Sequence, residues 1–282
     1  MLSEKKRSEE GIFALILGVA QADERIRAVY MNGSRANPRV SPDEFQDFDI
    51  VYVALDSSEF ESEHDLPKWF GKPLIVQRPD NIFPTWLMLF DDGNRIDLQI
   101  ENLSESRFGQ DSLTMLLLDK DGTFLSIPIS NDRDYWIKKP NEVEFYNICN
   151  DFWWCLNNVA KGIRREQLPY AHRMFMETSH QNLAQMLDWF IATQQDFKLS
   201  TGMWGKEVEK HLSMELFERY KKTYPAADYV QIWQAIDEAC ELFHFLANEL
   251  AEVLGFTYRQ HEEEGMKKYL KMMKKEFNDK NG

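Results

Sequence analysis

Three aspartates and one glycine–serine pair carry the chemistry this sequence could perform. Asp47 and Asp49 stand two residues apart in the run Gln46-Asp47-Phe48-Asp49-Ile50-Val51. In an extended strand such residues project from one face, while Phe48 and Ile50 project from the other. Two neighbouring carboxylates raise each other's pKa unless a cation neutralises them. A divalent metal is the natural cation. Mg2+ takes one or two carboxylates, with phosphate oxygens and water completing its octahedron. Gly33 and Ser34 close the preceding apolar segment. Glycine lets the backbone approach a ligand closely, and the N–H groups of such a turn, with a serine hydroxyl, can hold phosphate oxygens. A phosphate holder beside a metal-binding carboxylate pair is the minimum equipment for phosphoryl-type transfer.

Asp97 is a third candidate, in Arg95-Ile96-Asp97-Leu98-Gln99-Ile100. Alternation sends Ile96, Leu98 and Ile100 inward and Arg95, Asp97 and Gln99 outward. If this strand lies beside that of Asp49, three carboxylates converge. That is enough for two metals about 3.5–4 Å apart, or for one metal plus a general base. Taken singly, an Asp-x-Asp is usually a solvated strand end and a Gly-Ser pair a turn. Their order, with twelve residues between Ser34 and Asp47, argues against coincidence.

These residues need a sheet to hold them, and the first half of the chain reads as mixed α/β. Period-two and β-branched runs predict strands over residues 26–31, 48–54, 73–77, 86–90, 95–100 and 116–119. Asp91-Asp92-Gly93-Asn94 between the fourth and fifth is a hairpin signal. Residues 12–20 predict a first helix, with Ile12, Leu15 and Val19 near one face. This run follows Lys5, Lys6 and Arg7 and imitates a leader peptide, but Glu4, Glu9 and Glu10 spoil the positive region.

The second half predicts helices. Asn141 with Glu144 three residues on reads as a capping box, followed by Phe145, Ile148, Phe152, Leu156, Val159 and Ile163 at helical spacing. Further helices are expected over about 167–194, 206–222, 227–254 and 261–277, punctuated by Gly202, Gly205, Pro225 and Gly255. The expected class is therefore α+β: a mixed α/β domain over 1–138 and a helical bundle over 139–282.

Composition excludes some classes. The formal net charge of -14 disfavours a nucleic-acid partner, which wants a basic surface. The same charge suits a cationic small substrate, although it also serves solubility alone. Cys149, Cys155 and Cys240 form no CxxC pair and fit free thiols in a reducing compartment. No apolar run reaches membrane-spanning length, so the expectation is a cytoplasmic protein without a membrane partner. His64, His172, His180, His211, His244 and His261 show no metal-ligand spacing. The sequence leaves the oligomeric state open.

Gly33-Ser34, twelve intervening residues and Asp47-Phe48-Asp49-Ile50 resemble the signature of the nucleotidyltransferase superfamily. Asn32 stands before the glycine where that signature usually has a hydrophobic residue. The stretches GSRANPRVSPDEFQDFDIVYV, LFDDGNRIDLQI, LLLDKDG and NDRDYWIKKPNEVEFYNICNDFWW are similar to bacterial aminoglycoside 6-adenylyltransferases, the streptomycin-modifying group. The similarity is dense over the α/β half and the first bundle helix and thinner beyond. It implies a nucleotidyltransferase-like N-terminal domain and a helical substrate-binding domain. It implies that Asp47 and Asp49 hold Mg2+ on the ATP phosphates and that Gly33 and Ser34 contact the β- and γ-phosphates. It implies that Asp97 activates the acceptor hydroxyl or shares the metal. The implied reaction is attack of an aminoglycoside hydroxyl, at the 6-position of streptomycin, on the α-phosphorus of ATP. AMP is transferred and pyrophosphate leaves.

Other residues are candidates for the same ligands. A triphosphate needs cations beyond Mg2+. Trp154, Asn158, Lys161 and Arg165 trace a helix face apart from the apolar one, from which Lys161 could reach phosphate in a cleft between domains. Resemblance supports a triphosphate-binding lysine on this helix. Arg35 reads either as a pyrophosphate ligand or as a loop arginine. Arg133, Tyr135, Trp136 and Lys138 offer an aromatic that could stack on adenine or simply pack. Glu177, Asp188 and Trp189 are candidates for a polycationic acceptor. Two alternatives stand beside this reading: the same chemistry on another acceptor, and a nucleotide-binding module without catalysis. All three carboxylates being present argues against the second.

Overall fold

The computed structural model describes residues 6–124 and 129–281. The chain divides into two compact units between Asp134 and Tyr135.

In the first unit, α1 spans Glu9–Ala22 and begins on Ser8, whose hydroxyl accepts the Gly11 N–H at 3.2 Å. That cap and the acidic first turn, Glu9 and Glu10, satisfy the helix's positive end. The buried stripe is Ile12, Ile16 and Ala20, one step away from the expected Ile12, Leu15 and Val19. Phe13, Leu15, Leu17 and Val19 flank it, half-buried against the same core. A step of four stays closer to the period of about 3.6 residues than a step of three, and small Ala20 allows the closer approach.

The strands are β1 Ile26–Asn32, β2 Phe48–Ala54, β3 Pro73–Gln77, β4 Thr85–Phe90, β5 Arg95–Asn102 and β6 Met115–Asp119. They form one sheet in the order β3-β4-β5-β2-β1-β6. β2 and β5 pair in parallel, and the other neighbours are antiparallel. Phe48, Ile50 and Tyr52 of β2 and Ile96, Leu98 and Ile100 of β5 face α1 in the larger core, all at most 1% exposed. Burying each of these side chains contributes about 1.5–3 kcal/mol, which fixes the register. The opposite face carries a smaller cluster of Ala28, Tyr30, Val51 and Val53, packed by Leu103, Phe108 and Phe124. Asp49 and Asp97 alternate out of the large core onto this second face.

In the second unit, α2 spans Glu142–Arg164 and starts with the expected capping box: the Asn141 side chain accepts the Glu144 N–H, and the Glu144 carboxylate accepts the Asn141 N–H. The helix predicted over 167–194 is not uniform. It comprises α3 Leu168–Met174, a π-helical turn Phe175–Ser179 and α4 His180–Thr193. Within the turn the Thr178 and Ser179 hydroxyls donate to the carbonyls of Met174 and Phe152. Side-chain bonding to the preceding turn widens a helix locally, and hydrophobic periodicity does not show it. The helix predicted over 206–222 is likewise broken. α5 Val208–His211 ends at extended Leu212, and Ser213 caps α6 Met214–Lys221 by accepting the Leu216 N–H. α7 spans Tyr229–Leu254 and ends on Gly255 with φ 72°, and α8 spans Gln260–Asn281. Phe152 and Phe243 stack at 3.8 Å in the centre of this bundle.

Two polar groups are built into the bundle. Glu263, 5% exposed, accepts hydrogen bonds from His244 Nδ1, Tyr258 Oη and Lys267 Nζ, each at 2.8 Å. His180 is buried against Tyr220 and Tyr224. The Thr223 hydroxyl donates to the Tyr220 carbonyl, so His180 Nε2 is the donor in its 3.0 Å bond to Thr223 Oγ1. Burial lowers the His180 pKa to about 4 and keeps the ring neutral.

Candidate active site

β1 ends at Asn32, and the chain turns at Gly33 into a 3-10 turn, Ser34–Ala36. Gly33 has φ 76° and ψ -156°, a conformation essentially confined to glycine. A Cβ there would lie 2.1 Å from Asp49 Oδ2. The turn therefore rests directly on the Asp49 carboxylate, and only glycine permits it. Asn32 pairs with Asp49 across the sheet, and its Oδ1 accepts the Thr114 hydroxyl at 2.8 Å. The polar residue before the glycine thus has a fixed partner on the loop that leads into β6.

The parallel register sets Asp49 beside Asp97, as Phe48 is set beside Ile96. Asp47 lies just before β2. Between Asp47 and Asp97 sits a cation that the sequence reading did not assign. Arg95 Nε and Nη2 grip Asp97 at 2.8 and 2.6 Å, and Nη1 reaches Asp47 Oδ2 at 3.3 Å. Bonding to Asp97 raises the Arg95 pKa; partial burial opposes this, and the charges of Asp97, Asp47 and Asp49 reinforce it. The signal was present in the sequence: Arg95 and Asp97 are i and i+2 on one strand face.

The structure sets Asp97 in register beside Asp49, with Arg95 between Asp97 and Asp47. Among the described residues, no three acidic, histidine or cysteine side chains are grouped closely enough to hold a metal ion. The Arg95 guanidinium occupies the space between Asp47 and Asp97. Asp47 and Asp49 still fit Mg2+, because that ion needs only one or two carboxylates when phosphate supplies other oxygens. The close rest of the Gly33 turn on Asp49 leaves room for backbone, not for a side chain, which is what a phosphate cradle beside a metal ligand requires.

Arg35 has partners within the first unit. Its side chain is 6% exposed. Nε donates to the Asp47 carbonyl at 3.1 Å, Nη2 to the Gln46 carbonyl at 2.8 Å, and Nη1 pairs with Glu9 at 3.1 Å. The guanidinium lies over the Phe48 ring at 3.9 Å. It ties the end of the 37–47 loop to the strand, which sets where Asp47 points. Gln46, bonded to the Ser34 carbonyl at 3.3 Å, closes the same loop from the other side.

The remaining candidates lie elsewhere. Lys161 is exposed on α2 of the second unit and donates to Asn157 Oδ1 at 2.7 Å. Trp154 shares that exposed face. Glu177 pairs with Arg173 at 2.6 Å, and Trp189 is buried in the bundle core. Asp188 accepts the Thr201 hydroxyl at 2.8 Å, and burial raises its pKa. Tyr135 is half exposed at the start of the second unit. Cys149, Cys155 and Cys240 are free thiols. Among the described residues, no helix is long and apolar enough to cross a membrane.

A glycine-serine turn on an Asp-x-Asp strand, with a third carboxylate in register beside it, is the frame expected of a nucleotidyltransferase. A family model described as streptomycin adenylyltransferase matches residues 6–273. An aminoglycoside 6-adenylyltransferase of Campylobacter jejuni is 34% identical over 281 residues, spanning 96% of this chain and 97% of the relative. The enzyme of that name from Bacillus subtilis (strain 168) is 34% identical over 276 residues, spanning 93% and 96%. That of Staphylococcus aureus is 30% identical over 268 residues, spanning 91% and 95%. A crystal structure of an aminoglycoside 6-adenyltransferase from Bacillus subtilis is 30% identical, covers 95% of this chain and 98% of that chain, and has a TM-score of 0.48. The chain belongs to the streptomycin adenylyltransferase family.

Proposed function

We propose that this protein transfers AMP from ATP to a hydroxyl of an aminoglycoside, the 6-position of streptomycin, and releases pyrophosphate. The observation that carries this reading is the family match over nearly the whole chain, which includes all three aspartates and the Gly33-Ser34 turn. In this reading Asp47 and Asp49 hold Mg2+, and Gly33 and Ser34 lie against the terminal phosphates. Mg2+ would neutralise charge on the triphosphate. Asp97 receives the proton of the attacking hydroxyl as its oxygen bonds to the α-phosphorus and the bond to pyrophosphate breaks. Arg35, with Gln46, fixes the loop that delivers Asp47. A cationic acceptor suits the formal charge of -14. We place the reaction in the cytoplasm, where ATP is supplied and thiols stay reduced.

The phosphate equipment is blind to the acceptor, so the same chemistry on another hydroxyl is the second reading. Incubation with ATP labelled at the α-phosphate and a panel of acceptors separates the two. Label on streptomycin alone supports the first reading, and label only on another compound supports the second. Asp49→Asn should lower transfer at least about 100-fold, the loss expected when several kcal/mol of charge stabilisation disappear. Undiminished transfer by that variant would remove Asp49 from the site.

A further inference from the structure

The Arg95 side chain touches two of the three aspartates, at 2.6 and 2.8 Å to Asp97 and 3.3 Å to Asp47. Its grip on Asp97 uses both carboxylate oxygens, in the forked geometry that guanidinium and carboxylate share. The lone pairs facing the gap between Asp47 and Asp97 are thereby engaged. A dication entering that gap would meet a fixed positive charge within a few ångströms. Arginine cannot shed its proton to make way.

We propose that Arg95 is an internal counter-ion that competes with divalent metal for the carboxylate cluster, holding Asp97 out of the metal's ligand set. The site then offers Asp47 and Asp49, too few ligands to bind a dication tightly alone. Binding becomes strong only when a nucleotide triphosphate brings its own oxygens. Arg95 thus makes metal binding depend on nucleotide. The inference rests on the assignment of Asp47 and Asp49 as metal ligands. Arg95 acts here as a positioning residue through Asp97.

The test is Mn2+ binding to the full chain, read by electron paramagnetic resonance of free Mn2+, with and without a non-hydrolysable ATP analogue. Without nucleotide, Arg95→Gln should bind Mn2+ roughly tenfold more tightly than wild type, because a unit charge close to a dication is removed and Asp97 is released to it. Arg95→Lys, which keeps the charge, should stay near wild type. Arg95→Gln/Asp97→Asn should lose the gain, since the released ligand is gone. A merely structural arginine would give weaker or unchanged binding on removal, never tighter. Circular dichroism confirms that each variant is folded, and Arg95→Met, which also removes the charge and should bind Mn2+ as tightly as expected of Arg95→Gln, replaces it if Arg95→Gln does not fold. Equal or weaker Mn2+ binding by Arg95→Gln overturns the inference while leaving the metal site standing if nucleotide still promotes binding. Tighter binding by Arg95→Lys also overturns it. Absence of Mn2+ binding in every protein, with and without the analogue, overturns both the inference and the metal assignment beneath it.

Discussion

Replacing Gly33 by alanine tests the turn that joins the phosphate cradle to the carboxylates. Two costs follow from the geometry. At φ 76° and ψ -156° an alanine carries backbone strain of about 1–3 kcal/mol. Its Cβ would also sit 2.1 Å from Asp49 Oδ2, a contact that must be relieved by movement. Overpacking of this kind costs about 1–3 kcal/mol. Together, at about 2–6 kcal/mol, they should lower the melting temperature by roughly 4–24 °C, at about 2–4 °C per kcal/mol. The displaced group is a reacting-site carboxylate, and a shift near 1 Å costs about 100-fold in rate. Differential scanning calorimetry and pyrophosphate release measure the two effects. A double variant, Gly33→Ala/Asp49→Ala, separates them. The Asp49 Cβ lies 3.4 Å from the new Cβ, an ordinary contact, so the double variant should recover the overpacking part of the stability loss while activity stays absent. Gly33→Ala with wild-type melting and activity within threefold would refute the claim that the turn rests on Asp49.

Other predictions concern the groups that support the site and the bundle. Arg35→Met should keep the apolar contact with Phe48 but release the 37–47 loop, lowering transfer at least about tenfold with a smaller change in ATP-analogue affinity; unchanged turnover would show that the loop positions nothing. Burial pushes the Glu263 pKa up, but bonds from Lys267, His244 and Tyr258 outweigh it and leave it below the usual glutamate value. The stability this gives is present above about pH 4.3 and is lost as pH falls through the folded value. Glu263→Gln should therefore cost about 1–3 kcal/mol at pH 7 and less below pH 4, measured by urea unfolding. The neutral His180 has the same sign for a different reason. The unfolded chain binds its proton below about pH 6.5 and the folded chain only near 4, so stability falls as pH drops across that window, by about 3 kcal/mol from this group. His180→Gln should flatten that limb of the pH–stability curve, and an identical limb in the variant would place the ring in contact with water.

Much of this arrangement was legible in the sequence, because apolar alternation and turn chemistry decide it locally. The six strands appear where period-two runs place them, and the Asn141/Glu144 box starts α2 as its spacing requires. What escaped depends on side chains meeting across distance. The register that sets Asp49 beside Asp97 is chosen by burial of Phe48, Ile50, Ile96 and Leu98, which no local rule specifies. The sequence leaves Arg35 as either a pyrophosphate ligand or a loop arginine and does not show its partners Glu9, Gln46 and Asp47, which come from a helix and a loop on either side of it. Arg95 was placed on the correct strand face, yet its role follows only once β2 and β5 are neighbours. The broken helices failed for another reason: Ser213 capping and hydroxyl bonding by Thr178 compete with the helical ladder without changing its hydrophobic period.

The most direct test of the proposed transfer is pyrophosphate release from ATP and Mg2+ with and without streptomycin, followed by the mass of the antibiotic. Release that requires streptomycin, together with a product heavier by one AMP residue, is the predicted result. ATP bound without release, or release with the antibiotic unmodified, would contradict it.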